Sequence, residues 1–549
     1  MVPHPQRGVK ALINHNAIRK LIGASALMLA ALSSGLASGA APDGAAIIRE
    51  RCLACHTEEA GATPAFSRIG GQRKTPEGWH MTLNRMQHQR GLQIPVEEKR
   101  ALIKYLADTQ GLAPSEAAPY RYLLEQDTNR VESVDAAYTE MCMRCHSGAR
   151  FALQRRSEAE WKLLVHFHMG QHPTLELHSL SRDRPWMQLA LDKVAPQLAR
   201  DFPLQSAAWS DWQKAPRVDM AGSWRLFGYV PGKGEFEARM SATATAPDHF
   251  KLSVTGNYLD GQPLRGEGTA TLYTGYEWRA SVTLDGVKMR QVMAANAQGD
   301  AMSGRLILRD EREIGGALQA WREDGQSRVV AVSPSYLRTA TSATLTILGS
   351  HFGDDDGISL GDGIKVLKIV SRGADRIVVV AEARGDAGMR DVKVGGASGA
   401  ALLAVYDKVA RVDLNPGDGV ARVGGGENDP DAQLNKVRVA FRAIGYAAGA
   451  DGKAGTDDDL RLGYMPAAWR IEPLNEAAEK EQDHLYAGTI DAHGVFTPGN
   501  AGPNPARHMS ANNVGMLRVV AIVSDGAEQV RGQARLLVAV PDFVRRVLD

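Results

Sequence analysis

The chain opens on a basic stretch with Arg7, Lys10, Arg19 and Lys20, then an apolar run from Leu21 to about Leu36. Small residues Ala37-Ser38-Gly39-Ala40 follow, and the first acid is Asp43. A basic head, a short apolar body and a small-residue cleavage site predict a secretory signal peptide over residues 1–40. Gly23, Ser25, Ser33, Ser34 and Gly35 interrupt the run, which argues against a membrane anchor, and no later stretch is long and apolar enough to span a bilayer. Helical signals come next. Asp43 reads as the N-cap of a helix running through Ala46 and Ile47, and Ser133-Val-Asp135 starts a similar one through Tyr138 and Met141. Thr75-Pro76 opens a helix that reaches Met86, and Ser157 with Glu160, a predicted capping box, opens one that reaches His168. After Pro95, Glu97 and Glu98 lie in a first turn and Leu102, Ile103 and Leu106 share a face. A helical tail from Trp186 to Leu191 closes a predicted all-α region at residues 41–212.

Past Pro216 the hydrophobic period changes to two. Phe250, Leu252 and Val254 alternate with polar residues, as do Trp278, Ala280, Val282 and Leu284, and Asp260-Gly261 and Asp285-Gly286 mark turns. Residues 213–327 are therefore expected to form an antiparallel β-barrel or sandwich. Short strands at Val329–Val332, Thr344–Gly349, Arg376–Val380 and Asp391–Val394 predict an immunoglobulin-like β-sandwich over 328–407. Strands such as Leu517–Val523 and Ala534–Val540 place a C-terminal immunoglobulin-like β domain at 408–549. The predicted fold class is multidomain, an all-α domain followed by three all-β domains.

Composition adds limits. A chain of 549 residues with 44% hydrophobic and 23% charged residues is globular and long enough for several domains. The formal net charge is +1, which argues against a nucleic-acid binder. Removing residues 1–40 takes away four basic and no acidic residues, leaving −3.

Only four cysteines occur, and their spacing is informative. They lie in Cys52-Leu-Ala-Cys55-His56 and Cys142-Met-Arg-Cys145-His146, two C-x-x-C-H motifs that match c-type haem attachment. Two thiols one helical turn apart meet the two vinyl groups of a porphyrin, and the adjacent His56 or His146 sits beneath the iron. Zinc ribbons and redox C-x-x-C pairs are the alternatives, but neither chemistry requires a His after the second Cys. The all-α region thus reads as a dihaem cytochrome c domain with two covalently bound haem c groups.

The motifs are 90 residues apart, and each is followed by a capped, Trp-containing helix. Seven residues after Trp79 stands Met86, and seven after Trp161 stands His168, so each pair shares a helix face. Expected iron ligands are His56 and Met86 for the first haem, His146 and His168 for the second. His80, Met81, His88, His166, Met169 and His172 are nearby alternatives. In the β region, Asp354-Asp355-Asp356 and Asp451 with Asp457-Asp458-Asp459 match no EF-hand and read as acidic turns. No dinucleotide-binding, Walker or nucleophile-elbow motif is found.

This order of parts resembles the alpha subunit of quinohaemoprotein amine dehydrogenase. The resemblance covers the whole mature chain and includes runs such as Trp161-Lys-Leu-Leu-Val-His-Phe-His-Met-Gly-Gln-His-Pro173 and Val332-Ser-Pro-Ser-Tyr-Leu337. It implies a periplasmic heterotrimer with a β-propeller subunit and a small subunit bearing a cysteine tryptophylquinone that oxidises primary amines. This chain would then be the electron-transfer subunit of that oxidoreductase, with a soluble acceptor such as a cupredoxin or a cytochrome c. The cysteine inventory agrees: all four are taken by the haem motifs, so despite nine Trp no free Cys remains for a tryptophylquinone crosslink. No catalytic residue is expected in this chain, and no nucleic acid or membrane span. The competing readings are a stand-alone dihaem cytochrome c carrier or sensor and a dihaem peroxidase.

Overall fold

The computed structural model describes residues 43–60, 66–127, 130–425 and 435–540. The predicted signal peptide lies outside these residues. Among the described residues, no helix is long and apolar enough to cross a membrane.

The helical region is built as two related halves. In the first, helix α1 (Gly44–Arg51) starts where the Asp43 carboxylate accepts from the Ala45 N–H at 3.1 Å. Helix α2 (Pro76–Arg90) is capped by the Thr75 hydroxyl and stops at Gly91, which takes a left-handed φ of 72° that a side chain would resist. Helix α3 (Val96–Thr109) buries Leu102, Ile103, Leu106 and Ala107, one amphipathic stripe. It packs against α1 so closely that a Cβ on Gly44 would lie 2.2 Å from the Tyr105 Cβ.

In the second half, helix α4 (Ala136–Met141) is capped by Asp135 and helix α5 (Glu158–Gln171) by Ser157. The capping box expected at Ser157 and Glu160 forms on one side only. Ser157 Oγ accepts from the Glu160 N–H at 3.3 Å, but the Glu160 carboxylate turns away to Arg68 at 2.5 Å. The Ser157 N–H goes instead to the Gly71 carbonyl at 3.2 Å. The competing arginine is a stronger partner for a carboxylate than a backbone amide. The two halves meet in a short antiparallel ribbon, β1 (Gln72–Lys74) against β2 (Gln154–Arg156), with Arg73 opposite Arg155.

Eight antiparallel strands, from β3 (Gly222–Val230) to β10 (Gly315–Arg322), then close into a barrel in chain order, β10 returning to pair with β3. Its inward positions alternate along each strand and are filled by side chains including Trp224, Phe236, Met240, Phe250 and Trp278. Leu112, Ala117, Ala149 and Leu153 of the helical region belong to the same core. Polar links reinforce this seam. Arg279 reaches Glu77 at 2.6 Å, and the Thr274 N–H donates to Asp108 at 2.7 Å.

Residues 328–406 form two four-stranded sheets that pack Leu345, Ile347, Ile377 and Val379 against Val392, Val394, Leu403 and Val405. Residues 411–539 hold a four-stranded and two three-stranded sheets around Phe441, Phe496, Leu517, Val519, Leu536 and Val538. The protein is therefore a helical region followed by three β domains, the first a closed eight-stranded barrel.

In the acidic loops, carboxylates accept local hydrogen bonds. Asp356 accepts from the Gly353 N–H, Asp458 from Thr456, and Asp459 from both the Gly455 N–H and Arg411. No group of three or more His, Cys, Asp or Glu side chains suited to a metal occurs among the described residues.

Candidate functional site

The chemistry-bearing residues gather in the helical region, one set per half. Both cysteine motifs begin at a helix C-terminus. Cys52 is the C-cap of α1, its N–H bonded to the Ile48 carbonyl, and Cys142 is the C-cap of α4, its N–H bonded to Tyr138. The chain then turns tightly: the Cys55 N–H meets the Cys52 carbonyl at 3.1 Å and the Cys145 N–H meets Cys142 at 3.3 Å. In both motifs the first Cys is half-buried and the second exposed, and no disulfide joins them. Burial raises the Cys52 thiol and pushes the Cys142 thiol up to about 12.

The second half is the better-defined site. His146 and His168 face one another with ring centroids 6.5 Å apart and planes inclined by 36°. His146 Nδ1 lies 2.9 Å from the Ser147 carbonyl, and His168 Nδ1 lies 2.8 Å from the Leu164 carbonyl. A carbonyl only accepts, so each Nδ1 carries the proton and each Nε2 is left with its lone pair. Burial lowers the pKa of both imidazoles, which favours the neutral form that binds metals. With nitrogen–metal bonds of about 2 Å and each centroid about 1.2 Å behind its nitrogen, two imidazoles on opposite sides of one ion stand about 6.4 Å apart. The observed pair fits a haem iron between them.

The surroundings hold this pair in place. The Trp186 ring lies 6.0 Å from that of His168, and its indole N–H donates to the Met141 carbonyl at 2.8 Å. Glu132 braces the chain after the motif, accepting from Ser147 Oγ at 2.6 Å, the Gly148 N–H at 2.9 Å and the Ala149 N–H at 3.1 Å. Cys142 packs on a core that includes Tyr138, Phe151, Trp161 and Trp186.

The first half repeats the plan with fewer contacts. His56 is half-buried, and its Nδ1 lies 2.9 Å from the Ser67 carbonyl, again leaving Nε2 for a metal. Met86 is half-buried in the last turn of α2. No hydrogen bond or ring contact joins His56 to Met86 among the described residues. Of the alternatives, His80, His88, His166 and His172 are exposed. The Met81 sulfur takes a contact from Arg85 at 2.9 Å, and Met169 packs against the second-half core.

Sequence reasoning missed the ribbon between the halves. Arg73, Lys74, Arg155 and Arg156 are each 5% exposed or less. Arg73 and Arg155 share one carboxylate, Glu116, at 2.8 and 3.2 Å. Burial alone would raise Glu116, but the two guanidiniums overcome it and hold the carboxyl at about 2. The signal was present as Gln72-Arg-Lys-Thr75 and Gln154-Arg-Arg-Ser157, 82 residues apart.

Comparisons with known proteins agree with this layout. The family model for quinohemoprotein amine dehydrogenase A, alpha subunit, haem binding, matches residues 42–209. Models for domains II, III and IV of the same alpha subunit match residues 217–323, 326–407 and 412–548. No curated protein matches the chain. Among solved structures, a redesigned beta barrel is 15% identical and covers 19% of this chain and 92% of its own, with a TM-score of 0.17. The mixed-linkage glucan utilization locus SGBP-B of Bacteroides ovatus, in complex with a mixed-linkage heptasaccharide, is 10% identical. It covers 58% of this chain and 60% of its own, with a TM-score of 0.18. At such scores neither likeness carries an argument.

Proposed function

The chain belongs to the quinohemoprotein amine dehydrogenase alpha-subunit family, and from that premise we propose that it is the dihaem electron-transfer subunit of a periplasmic amine dehydrogenase. In this reading it receives electrons from a cysteine tryptophylquinone on a small partner subunit. It passes them through two c-type haems to a soluble acceptor, a cupredoxin or a cytochrome c, during oxidative deamination of primary amines. A β-propeller subunit completes the heterotrimer.

When bound, a c-type haem supplies a one-electron ferric–ferrous couple. The chain's own residues do the rest. Cys52, Cys55, Cys142 and Cys145 would hold the haems by thioether bonds, and His56 with Met86 and His146 with His168 would supply the iron ligands. Two protein ligands for each iron would suit electron transfer better than peroxidase chemistry. The carbonyls of Ser67, Ser147 and Leu164 fix the tautomer and orientation of the three imidazoles and raise their basicity. Met ligation in the first half and His ligation in the second set the two potentials apart, the first higher.

The observation that carries this reading is the His146–His168 pair, with ring centroids 6.5 Å apart and each Nδ1 held by a backbone carbonyl. The test begins with protein purified from its native periplasm. Associated chains are identified by mass, and a primary amine is added while the haem absorption bands are followed. Co-purification of a quinone-bearing chain and amine-driven haem reduction are expected; absence of both would overturn the assignment.

A further inference from the structure

In the second half, one carboxylate gathers the turn that follows the cysteine motif. Glu132 accepts from Ser147 Oγ at 2.6 Å, the Gly148 N–H at 2.9 Å, the Ala149 N–H at 3.1 Å, and the Tyr122 hydroxyl. These four donors are neutral, so they spread the charge of the carboxylate without cancelling it. Burial alone would raise the Glu132 carboxyl, but the donors outweigh it and hold the group below the ordinary carboxylate range. Glu132 is therefore an anion at neutral pH.

The bond to Gly148 continues towards a histidine. The Gly148 N–H and the Ser147 carbonyl are the two ends of one trans peptide group, and they point in opposite directions. The N–H end meets Glu132 Oε2 at 2.9 Å, and the carbonyl end lies 2.9 Å from His146 Nδ1. The order is carboxylate, peptide, imidazole. An amide is conjugated, so an anion at its N–H shifts electron density onto its oxygen and makes that oxygen a stronger acceptor. A stronger acceptor at Nδ1–H makes Nε2 the more basic donor. Metal-binding imidazoles are often backed by a carboxylate directly; here a peptide group stands between the two.

The other imidazoles lack this backing. His56 Nδ1 lies 2.9 Å from the Ser67 carbonyl, whose peptide group ends in the Arg68 N–H. No carboxylate accepts from that N–H among the described residues. Ser67 is held instead by Thr57, whose N–H donates to Ser67 Oγ at 2.8 Å and whose carbonyl accepts from the Ser67 N–H at 2.8 Å. The Leu164 carbonyl that faces His168 lies within α5, where the backbone N–H groups serve the helix itself. Sharing of the carbonyls does not separate the halves, because Ser67 also accepts from the Ile69 N–H at 2.7 Å and Ser147 from the Arg150 N–H at 3.2 Å. The carboxylate does separate them.

We propose that Glu132 is a positioning residue of the second haem site, acting through the Ser147–Gly148 peptide to orient His146 and strengthen its Nε2 as a donor. A stronger donor favours ferric over ferrous iron and lowers the midpoint potential. Glu132 thereby widens the gap that Met and His ligation open between the two haems. The proposal rests on the two-haem reading above.

The test uses the full complex matured in the periplasm. Haems are counted from the pyridine haemochrome, and the ferric EPR spectrum is searched for the low-spin signal of a bis-histidine haem. Fewer than two haems, or no such signal, in the unsubstituted protein overturns the two-haem reading and the proposal with it. With both present, each haem is titrated spectroelectrochemically. Glu132→Gln is expected to raise the midpoint potential of the second haem and leave the first unchanged. It should also widen the spread of the second haem's g values, the mark of a weaker imidazole donor. Glu132→Asp, which keeps the charge, is expected to stay close to the unsubstituted protein in both. An unchanged second-haem potential in Glu132→Gln overturns the proposal. So does a potential that rises while the g values stay fixed, because a charge acting through space alone gives that result. Tyr122→Phe removes one donor from Glu132, leaves more of its charge on Gly148, and is expected to lower the second-haem potential. A rise or no change there overturns the proposal, and this mild variant decides the question if Glu132→Gln does not take up haem.

Discussion

Glu116 shows what a single residue does here. It is the one carboxylate shared by Arg73 and Arg155 at the junction of the halves. Its pKa is depressed from the ordinary 4.5 to about 2, so its contribution to stability is present above pH 4.5 and lost as pH falls through about 2. Glu116→Gln leaves two buried guanidiniums uncompensated and is expected to cost about 3 kcal/mol at neutral pH. It should also flatten the loss of stability between pH 4.5 and 2, which urea midpoints measured across that range will show. At Met86 the expectation is spectroscopic. Met86→Ala should abolish the sulfur-to-iron charge-transfer band at the red end of the ferric spectrum, and a band that persists shows that another group binds the iron.

At the scale of the element, helix starts were the most legible feature. Asp43, Thr75, Asp135 and Ser157 each cap the helix that their position predicts, because a capping hydrogen bond involves only residues two or three apart. What Glu160 does was not legible, since its partner Arg68 lies 92 residues away. The contact between α1 and α3 is similar. The apolar face of α3 is readable from Leu102, Ile103 and Leu106, but the need for glycine at position 44 comes only from Tyr105 lying against it. Gly44→Val is therefore expected to destabilise the first half by about 1–3 kcal/mol through overpacking. The measurement is the thermal midpoint of the loss of haem-region circular dichroism, and an unchanged midpoint would show that the helices separate at little cost.

At the scale of the whole molecule, the helical region and the barrel are not independent bodies. Leu112, Ala117, Ala149 and Leu153 complete the barrel's core, and Arg279 ties β-structure to Glu77 at the head of α2. A chain ending at residue 212 should expose those four side chains. It is expected to unfold at a lower temperature than the haem region of the full chain, or to associate. Equal thermal midpoints would mean that the barrel lends the haem region no stability. The barrel's own interior is filled, which suits a support for the helical region rather than a ligand container.

By itself the sequence determined the local features: the two C-x-x-C-H motifs, the helix caps and the change from helical to alternating periodicity after Pro216. Each depends on residues a few positions apart, where covalent geometry and backbone hydrogen bonding dominate. Only the tertiary structure decided that His146 and His168 face each other at 6.5 Å, and that Arg73 and Arg155 meet over one glutamate. The same holds for Lys74, which is buried without a carboxylate of its own. Those outcomes depend on which distant charges share a low-dielectric interior, and an ion pair's distance there is set by packing, which no periodicity along the chain encodes.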